Sequence, residues 1–344
     1  MKLHHIGYAV RNLEAAGRMQ SLDCPKQGDP VPDERMGVEV LFLDAGGARL
    51  ELVAPLGPGS PVDSYLKQSG PGPYHTGYLT DDLDGQTERM KAEGWKVVRP
   101  PMPAKAFSGA NVVFLYHGSL GLVELIEQLP QPRRTFYARV VKRGLDILFS
   151  AALLALLSPV FLVLTVLEWI CHGRPALYRA TRAGRDGVPF VMYKFRSMTD
   201  GRDAEDRLLP EEKRLTGFGR FLRRTSLDEI PQLWNILKGD MSFIGPRPLE
   251  TGCVERYSAR HKTRLSIRPG LACFRAKRKD ETGTWTYREQ FENDVTYLQN
   301  VSFCYDLQML AAIFRHLFTD THMRECAMRP EFDGGNLDWK EGDP

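Results

Sequence analysis

The chain has 344 residues, enough for two domains, and a formal net charge of +3, so no global field points to nucleic acid as a partner. Its six cysteines include no Cys-x-x-Cys pair, which argues for reduced thiols rather than a disulfide framework. The N-terminus, Met-Lys-Leu-His-His-Ile-Gly, lacks the apolar core of a signal peptide.

Residues 1–128 contain a repeat. His5-Ile-Gly7-Tyr8 returns 70 residues later as His75-Thr-Gly77-Tyr78, and each copy runs into a predicted helix, over 13–20 and 82–93. Each copy closes with an apolar strand carrying one glutamate: Glu51 in Leu-Glu-Leu-Val and, 73 residues on, Glu124 in Val-Glu-Leu-Ile. Two strand–helix–strands units, each too small to bury a core alone, should pair. If His5, Glu51, His75 and Glu124 all face inward, two imidazoles and two carboxylates converge. That donor set suits a divalent ion such as Zn2+, Ni2+, Co2+, Fe2+ or Mn2+. A lone inward histidine is more often a satisfied core residue. The same liganding types at equivalent places in two repeats argue for more.

On these residues the segment resembles the vicinal oxygen chelate superfamily, the fold of glyoxalases, methylmalonyl-CoA epimerases and ring-cleaving dioxygenases. The resemblance implies paired βαβββ modules forming a half-barrel around a metal, with the family's ligands falling on His5, Glu51, His75 and Glu124. It leaves open whether the module is an epimerase or isomerase, a ligand sensor or a scaffold.

Residues 129–140, with Pro130, Pro132 and the adjacent Arg133 and Arg134, read as a linker. The stretch 147–167 holds no charged residue and is about as long as the roughly 20 apolar residues of a membrane helix. Ser158-Pro159 stands at its middle. Proline removes a helical hydrogen bond, so a break or kink is expected there, eased by the serine hydroxyl. Arg133, Arg134, Arg139, Lys142 and Arg143 precede the stretch, and Arg174, Arg179, Arg182 and Arg185 follow it. Basic residues mark the cytoplasmic side, so basic flanks at both ends favour a helix that dips in and returns, over about 145–170. The competing readings are a single kinked span and a buried core helix.

Further on, Arg185-Asp186-Gly187 between apolar runs predicts a hairpin, with Lys194 and Arg196 alternating among aromatics toward an anion. Ile230, Leu233, Trp234 and Leu237 share one helical face that Gly239 closes, with Ser226 or Asp228 as the cap. Asp228 and Glu229 then sit at a helix N-terminus beside Arg220, Arg223 and Arg224, which favours ionised carboxylates. Such a pair is as a rule an ordinary acidic cap. Beside an arginine cluster it can also supply a nucleophile toward phosphorus and a ligand for a divalent cation. Gly245-Pro246-Arg247-Pro248 and Arg268-Pro269-Gly270 add two rigid turns. A further amphipathic stretch, 303–318, fits either a membrane surface or core packing.

These motifs, with Lys194-Phe-Arg-Ser-Met, Lys238-Gly-Asp-Met-Ser and the series Phe291, Asp294, Tyr297, Asn300, Ser302 and Asp306, stand in the order found in bacterial sugar transferases, the monotopic phosphoglycosyl transferases. The resemblance runs from about residue 142 to 318. It implies an α+β chain of two domains: the half-barrel module over 1–128, then a mostly helical catalytic domain over 141–319 with a re-entrant membrane helix, and a tail over 320–344. It implies transfer of a phosphosugar from a UDP-sugar to polyprenyl (undecaprenyl) phosphate with release of UMP, the first step of a membrane-linked glycan pathway. Asp228 would be the nucleophile and Glu229, with Asp228, would hold Mg2+. Arg247, Arg224, Lys194, Arg196 and Arg220 would bind phosphate. Membrane lipids, downstream glycosyltransferases and a second copy of the chain are the further expected partners, and the cytoplasmic face of a bacterial inner membrane is the expected location. The rival reading is a membrane-tethered epimerase or sensor whose transferase part is only an anchor. The family usually has Thr-Gly, an aromatic and Gln-Val-Asn-Gly-Arg after the second turn. Here residues 271–279 form a basic run instead, which leaves the sugar open.

Overall fold

A computed structural model describes residues 1–14, 23–272 and 286–319. The chain divides into two compact units, Met1–Leu129 and Pro130–Pro344. The predicted helix over 13–20, the basic run from residue 273 on and the tail over 320–344 lie largely or wholly outside the described residues.

The first unit is built on one sheet of eight strands: β1 (Lys2–Ala9), β2 (Lys26–Asp33), β3 (Val38–Ala45), β4 (Ala48–Pro55), β5 (Gly72–Thr80), β6 (Lys96–Pro103), β7 (Asn111–His117) and β8 (Gly121–Glu127), in the order β2-β3-β4-β1-β5-β8-β7-β6. Each repeat contributes four neighbouring strands, and the repeats meet where β1 pairs antiparallel with β5 (Gly72–Thr80). Within each repeat the first strand pairs parallel with the last, β1 with β4 (Ala48–Pro55) and β5 with β8. Among the described residues, two α-helices join the unit, α1 (Asp63–Ser69) and α2 (Leu83–Ala92). The Asp82 side chain caps α2 by accepting from Gly85 N at 2.9 Å.

The register between β1 and β5 explains the repeated His-x-Gly. His5 stands opposite Gly77, and Gly7 opposite His75. A Cβ on Gly77 would lie 2.1 Å from the His5 ring, and one on Gly7 would lie 2.1 Å from the His75 ring. Each repeat thus supplies the bare backbone over which the other's imidazole lies.

The second unit is organised along α3 (Lys142–His172), entered through a π-helical turn, Tyr137–Val141. The stretch read as a linker is therefore helical from Tyr137 on. Nor does Ser158-Pro159 interrupt the helix, contrary to the expected break: Pro159 lies inside α3. Its missing N–H would leave the carbonyl four residues back, that of Ala155, without a donor, and the Ser158 hydroxyl donates to that oxygen at 2.8 Å.

One face of α3 is packed. Leu164 is buried with Phe195, Leu222, Leu233, Ile236 and Met241, and Leu153, Leu154, Leu157 and Phe161 join this cluster. The opposite face is open, with Leu156, Leu162 and Ile170 exposed by 72%, 66% and 74%. The core-helix reading therefore fails, while the helix keeps the length and hydropathy of a membrane segment.

Both ends of α3 are tied to the same unit by polar contacts. Near its start, Asp146 accepts from Ser242 Oγ and Phe243 N, each at 3.1 Å. Arg143 donates to Ile236 O and Leu237 O, the last carbonyls of α5 (Gln232–Lys238). Lys142 pairs with Asp306, which also accepts from Tyr137 and Tyr297. Two of the basic residues expected at a membrane surface are thus engaged internally. Near the end of α3, Glu168 bonds to His172 one turn on, and His172 Nε2 in turn lies 2.7 Å from Thr216 Oγ1 outside the helix.

The expected hairpin is present, β9 (Leu177–Ala183) against β10 (Pro189–Phe195) around Arg185–Gly187. Next come α4 (Gly217–Thr225), α5, the short strands β11 (Ser242–Ile244) and β12 (Gly270–Ala272), α6 (Tyr287–Asn300) and α7 (Phe303–Thr319). Gly239 ends α5 at φ 105° as its sequence position requires. Trp234 leaves the expected apolar face and is 54% exposed, because Leu233 and Ile236 fill the core side. On α7, Phe303, Leu307 and Leu310 point outward while Asp306 and Met309 are buried, so those three side chains do not pack in the core.

Gly7→Ala and Gly77→Ala should each destabilise the first unit by about 1–3 kcal/mol, through the clash of the added methyl with an imidazole. Gly118→Ala, where a Cβ meets nothing within 4 Å, should stay within about 0.5 kcal/mol. Denaturant unfolding of the full-length chain measures all three.

Candidate functional site

Two sites emerge, one in each unit. In the first, β1, β4, β5 and β8 lie side by side at the centre of the sheet, and each turns one polar side chain inward. His5, Glu51, His75 and Glu124 are all buried, and their ligand atoms lie within 4.8 Å of one another. His5 Nε2 is 2.9 Å from His75 Nε2, 3.2 Å from Glu51 Oε2 and 3.3 Å from Glu124 Oε2. His75 Nε2 is 3.2 and 3.5 Å from the same two oxygens. Burial alone would raise Glu51 and lower His75. The facing partners outweigh it, bringing the Glu51 carboxyl down to about 2 and the His75 imidazole up to about 10.

This donor set fits a divalent metal. Two imidazole nitrogens and two carboxylate oxygens point at one spot, with spacings that coordination bonds of about 2.0–2.2 Å can bridge. Glu124 Oε2, one of the converging oxygens, is buried with no well-formed hydrogen bond, as expected of an atom arranged for an ion. Behind the cluster stands His4, which sequence reasoning passed over. Its Nδ1 is 2.9 Å from His5 Nδ1, and its Nε2 is 2.7 Å from Arg49. The adjacency of the two histidines was the available signal. Burial, with His5 and Arg49 adding to it, lowers His4 to about 4. A cavity of about 80 Å³ reaches the cluster, walled by Val40, Val53, Phe107 and Phe114, with Tyr74 and Arg99 at its side.

In the second unit, Asp228 and Glu229 lie in a 3₁₀ turn, Leu227–Glu229, between α4 and α5. The expected capping arrangement differs. Ser226 is left-handed at φ 57° and ends α4, Pro231 occupies the N-cap of α5, and no side chain caps that helix. Asp228 is buried. Burial pushes its carboxyl above the ordinary aspartate value. Lys194 and Arg223 oppose the rise, while Glu229 adds to it. The sequence argument for a readily ionised carboxylate therefore omitted the largest influence, desolvation.

The basic residues divide. Lys194 Nζ is 2.8 Å from Glu229 Oε1, and Arg223, whose Nε donates to Ser197 Oγ at 2.9 Å, acts on Asp228. Arg220 and Arg224 are exposed on α4. The Arg196 guanidinium is held by Asp200 at 2.6 Å and reaches the carbonyls of His172 and Pro175 at 3.4 Å. Arg247 is exposed on a loop that is itself fixed from beneath. The fully buried Arg264 donates to Arg247 O at 2.7 Å and forks onto Asp294 at 2.6 and 2.8 Å. Arg264 was not singled out in the sequence, where it is one of many arginines.

The two rigid turns interlock backbone to backbone. Gly270 N donates to Pro246 O at 2.9 Å, and Gly245 N donates to Ala272 O at 3.1 Å. A Cβ on Gly270 would lie 2.1 Å from Gly245 N, so glycine is required by the close approach.

Both parts of the chain have counterparts among known proteins. Residues 4–114 match the model of the glyoxalase/bleomycin resistance protein/dioxygenase superfamily. A methylmalonyl-CoA epimerase structure from Mycobacterium tuberculosis aligns with 38% of the chain and 89% of its own length, at 26% identity and a TM-score of 0.34. The uncharacterized sugar transferase EpsL of Bacillus subtilis is 36% identical over 186 residues, 54% of this chain and 91% of that protein. A Caulobacter vibrioides protein named UDP-glucose:undecaprenyl-phosphate glucose-1-phosphate transferase is 37% identical over 198 residues, 55% of this chain and 73% of that protein. The bacterial sugar transferase model matches residues 137–320, more than half the chain, and the chain belongs to that family.

Proposed function

We propose that the chain transfers a phosphosugar from a UDP-sugar to polyprenyl phosphate, as the name of the Caulobacter relative describes for that protein. The observation that carries this reading is a buried aspartate in a tight turn, beside a glutamate that is ion-paired to Lys194. The Asp228 carboxylate attacks the phosphorus bearing the sugar. The bond from that phosphorus to the bridging oxygen breaks, and UMP leaves with the electron pair. An oxygen of the lipid phosphate then attacks the same phosphorus and releases Asp228 as a carboxylate. Desolvation leaves the Asp228 anion poorly stabilised and so more reactive.

Lys194, ion-paired to Glu229, and Arg223, which acts on Asp228, offset phosphate charge, with Arg247, Arg224 and Arg220 as further cations. Arg196 serves the end of α3 instead. The adjacent oxygen donors of Glu229 and Asp228 fit a hard cation such as Mg2+, which when bound would offset charge on the diphosphate. The open face of α3 supports a lipid setting. The polar ties at both its ends, with basic residues on both flanks, support a monotopic arrangement on the cytoplasmic face.

Asp228→Asn should reduce UMP release from a UDP-sugar to below about a thousandth of wild type. Unchanged turnover would exclude Asp228 as nucleophile. Because burial raises the Asp228 pKa and the anion is the attacking form, the acceptor-free burst of UMP should weaken as pH falls. Its midpoint should lie above the usual aspartate value of about 4, as measured by rapid quench across pH.

For the first unit we propose a metal-dependent small-molecule site, supported by the converging ligand atoms. The full-length protein should carry about one equivalent of a divalent transition metal. His5→Ala should remove it by elemental analysis, and chelation should lower the unfolding temperature.

A further inference from the structure

Glu168 and His172 lie one turn apart at the end of α3, and both side chains are closed off from solvent. Burying two ionisable groups is costly unless they are well bonded. His172 Nδ1 is 2.8 Å from Glu168 Oε2, and its Nε2 is 2.7 Å from Thr216 Oγ1. Thr216 is the N-cap of α4, its oxygen accepting from Gly219 N at 2.9 Å. One assignment serves both ring nitrogens and the threonine hydroxyl, while Glu168 Oε1 stays buried without a hydrogen-bond partner. Nδ1–H donates to the carboxylate, the threonine hydroxyl donates to Nε2, and the hydroxyl oxygen accepts the backbone N–H.

This chain of bonds joins the end of the apolar helix to the first turn of α4. The far side of α4 is seated just as tightly. A Cβ on Gly219 would lie 1.8 Å from Ser197 O, and Arg223 Nε bonds to Ser197 Oγ. The helix then ends at Ser226 and passes directly into the turn holding Asp228.

We propose that His172 is a positioning residue for phosphosugar transfer. Through Thr216 it fixes the seat of α4, and through α4 the placement of Arg223 and Asp228. The inference rests on the transferase reading above.

The test uses the full-length enzyme in lipid nanodiscs. UDP-glucose, UDP-galactose and their N-acetyl forms are first screened with wild type, and the best donor is carried forward. His172→Phe keeps a ring and removes both bonds, and Thr216→Val keeps the shape and removes the hydroxyl. Thr216→Ser and Glu168→Gln retain the acceptor and donor roles. For the first two we expect an acceptor-free UMP burst at least about tenfold slower per folded molecule. The KM for the nucleotide sugar should stay within about twofold of wild type. Thr216→Ser and Glu168→Gln should stay within about threefold of the wild-type burst rate.

A wild-type burst rate in folded His172→Phe overturns the proposal, with Thr216→Val deciding if His172→Phe does not fold. Equal losses in Thr216→Ser and Thr216→Val overturn it as well. No UMP from wild type with any donor sinks the transferase reading itself, and this inference with it.

Discussion

Two carboxylates, Asp146 and Glu168, are withdrawn from water at opposite ends of one apolar helix, and each finds its bonds within the same unit. They are 22 residues apart, roughly 33 Å of helix at about 1.5 Å per residue, and that spacing brings them to nearly the same side. A helix pinned this way runs along its unit rather than away from it. Its inward stripe forms the floor on which β10, α4 and α5 pack, and its outward stripe is left for an apolar surrounding.

The acidic turn depends on that floor. Ile230, Leu233 and Ile236 hold α5 against α3, and Leu222 does the same for α4, so the few residues between them have little freedom. Around the turn, polar side chains act mainly as fasteners. Arg143 and Arg268 bond to carbonyls at the end of α5, and Arg264 braces the loop that carries Arg247. Arg223 acts on Asp228 directly, and several other arginines stiffen its frame.

Much of this was legible beforehand. The repeat, its four ligand-type residues, the hairpin and the order of the transferase motifs follow from spacing and residue type. Three features did not follow. Asp146 stood among the motif residues, but the charge-free window stopped before Glu168, so the polar far end of the inward stripe, Glu168 and His172, was left out. Yet Asp146, Ser150, Leu157, Phe161, Leu164, Glu168 and His172 recur at helical intervals along a single side. The state of Asp228 depends on how thoroughly neighbours from other elements exclude water, which periodicity does not report. The proline was read by its usual effect in isolation, whereas a neighbouring hydroxyl meets the one carbonyl it strands.

The crossed arrangement of β1 and β5 has an evolutionary corollary. Because an imidazole from one half rests on a glycine of the other, neither half of the duplication is free to drift by itself. Acceptable change there must come as compensating pairs spanning the two copies, so ancestry is locked in by sterics as well as by ligand chemistry.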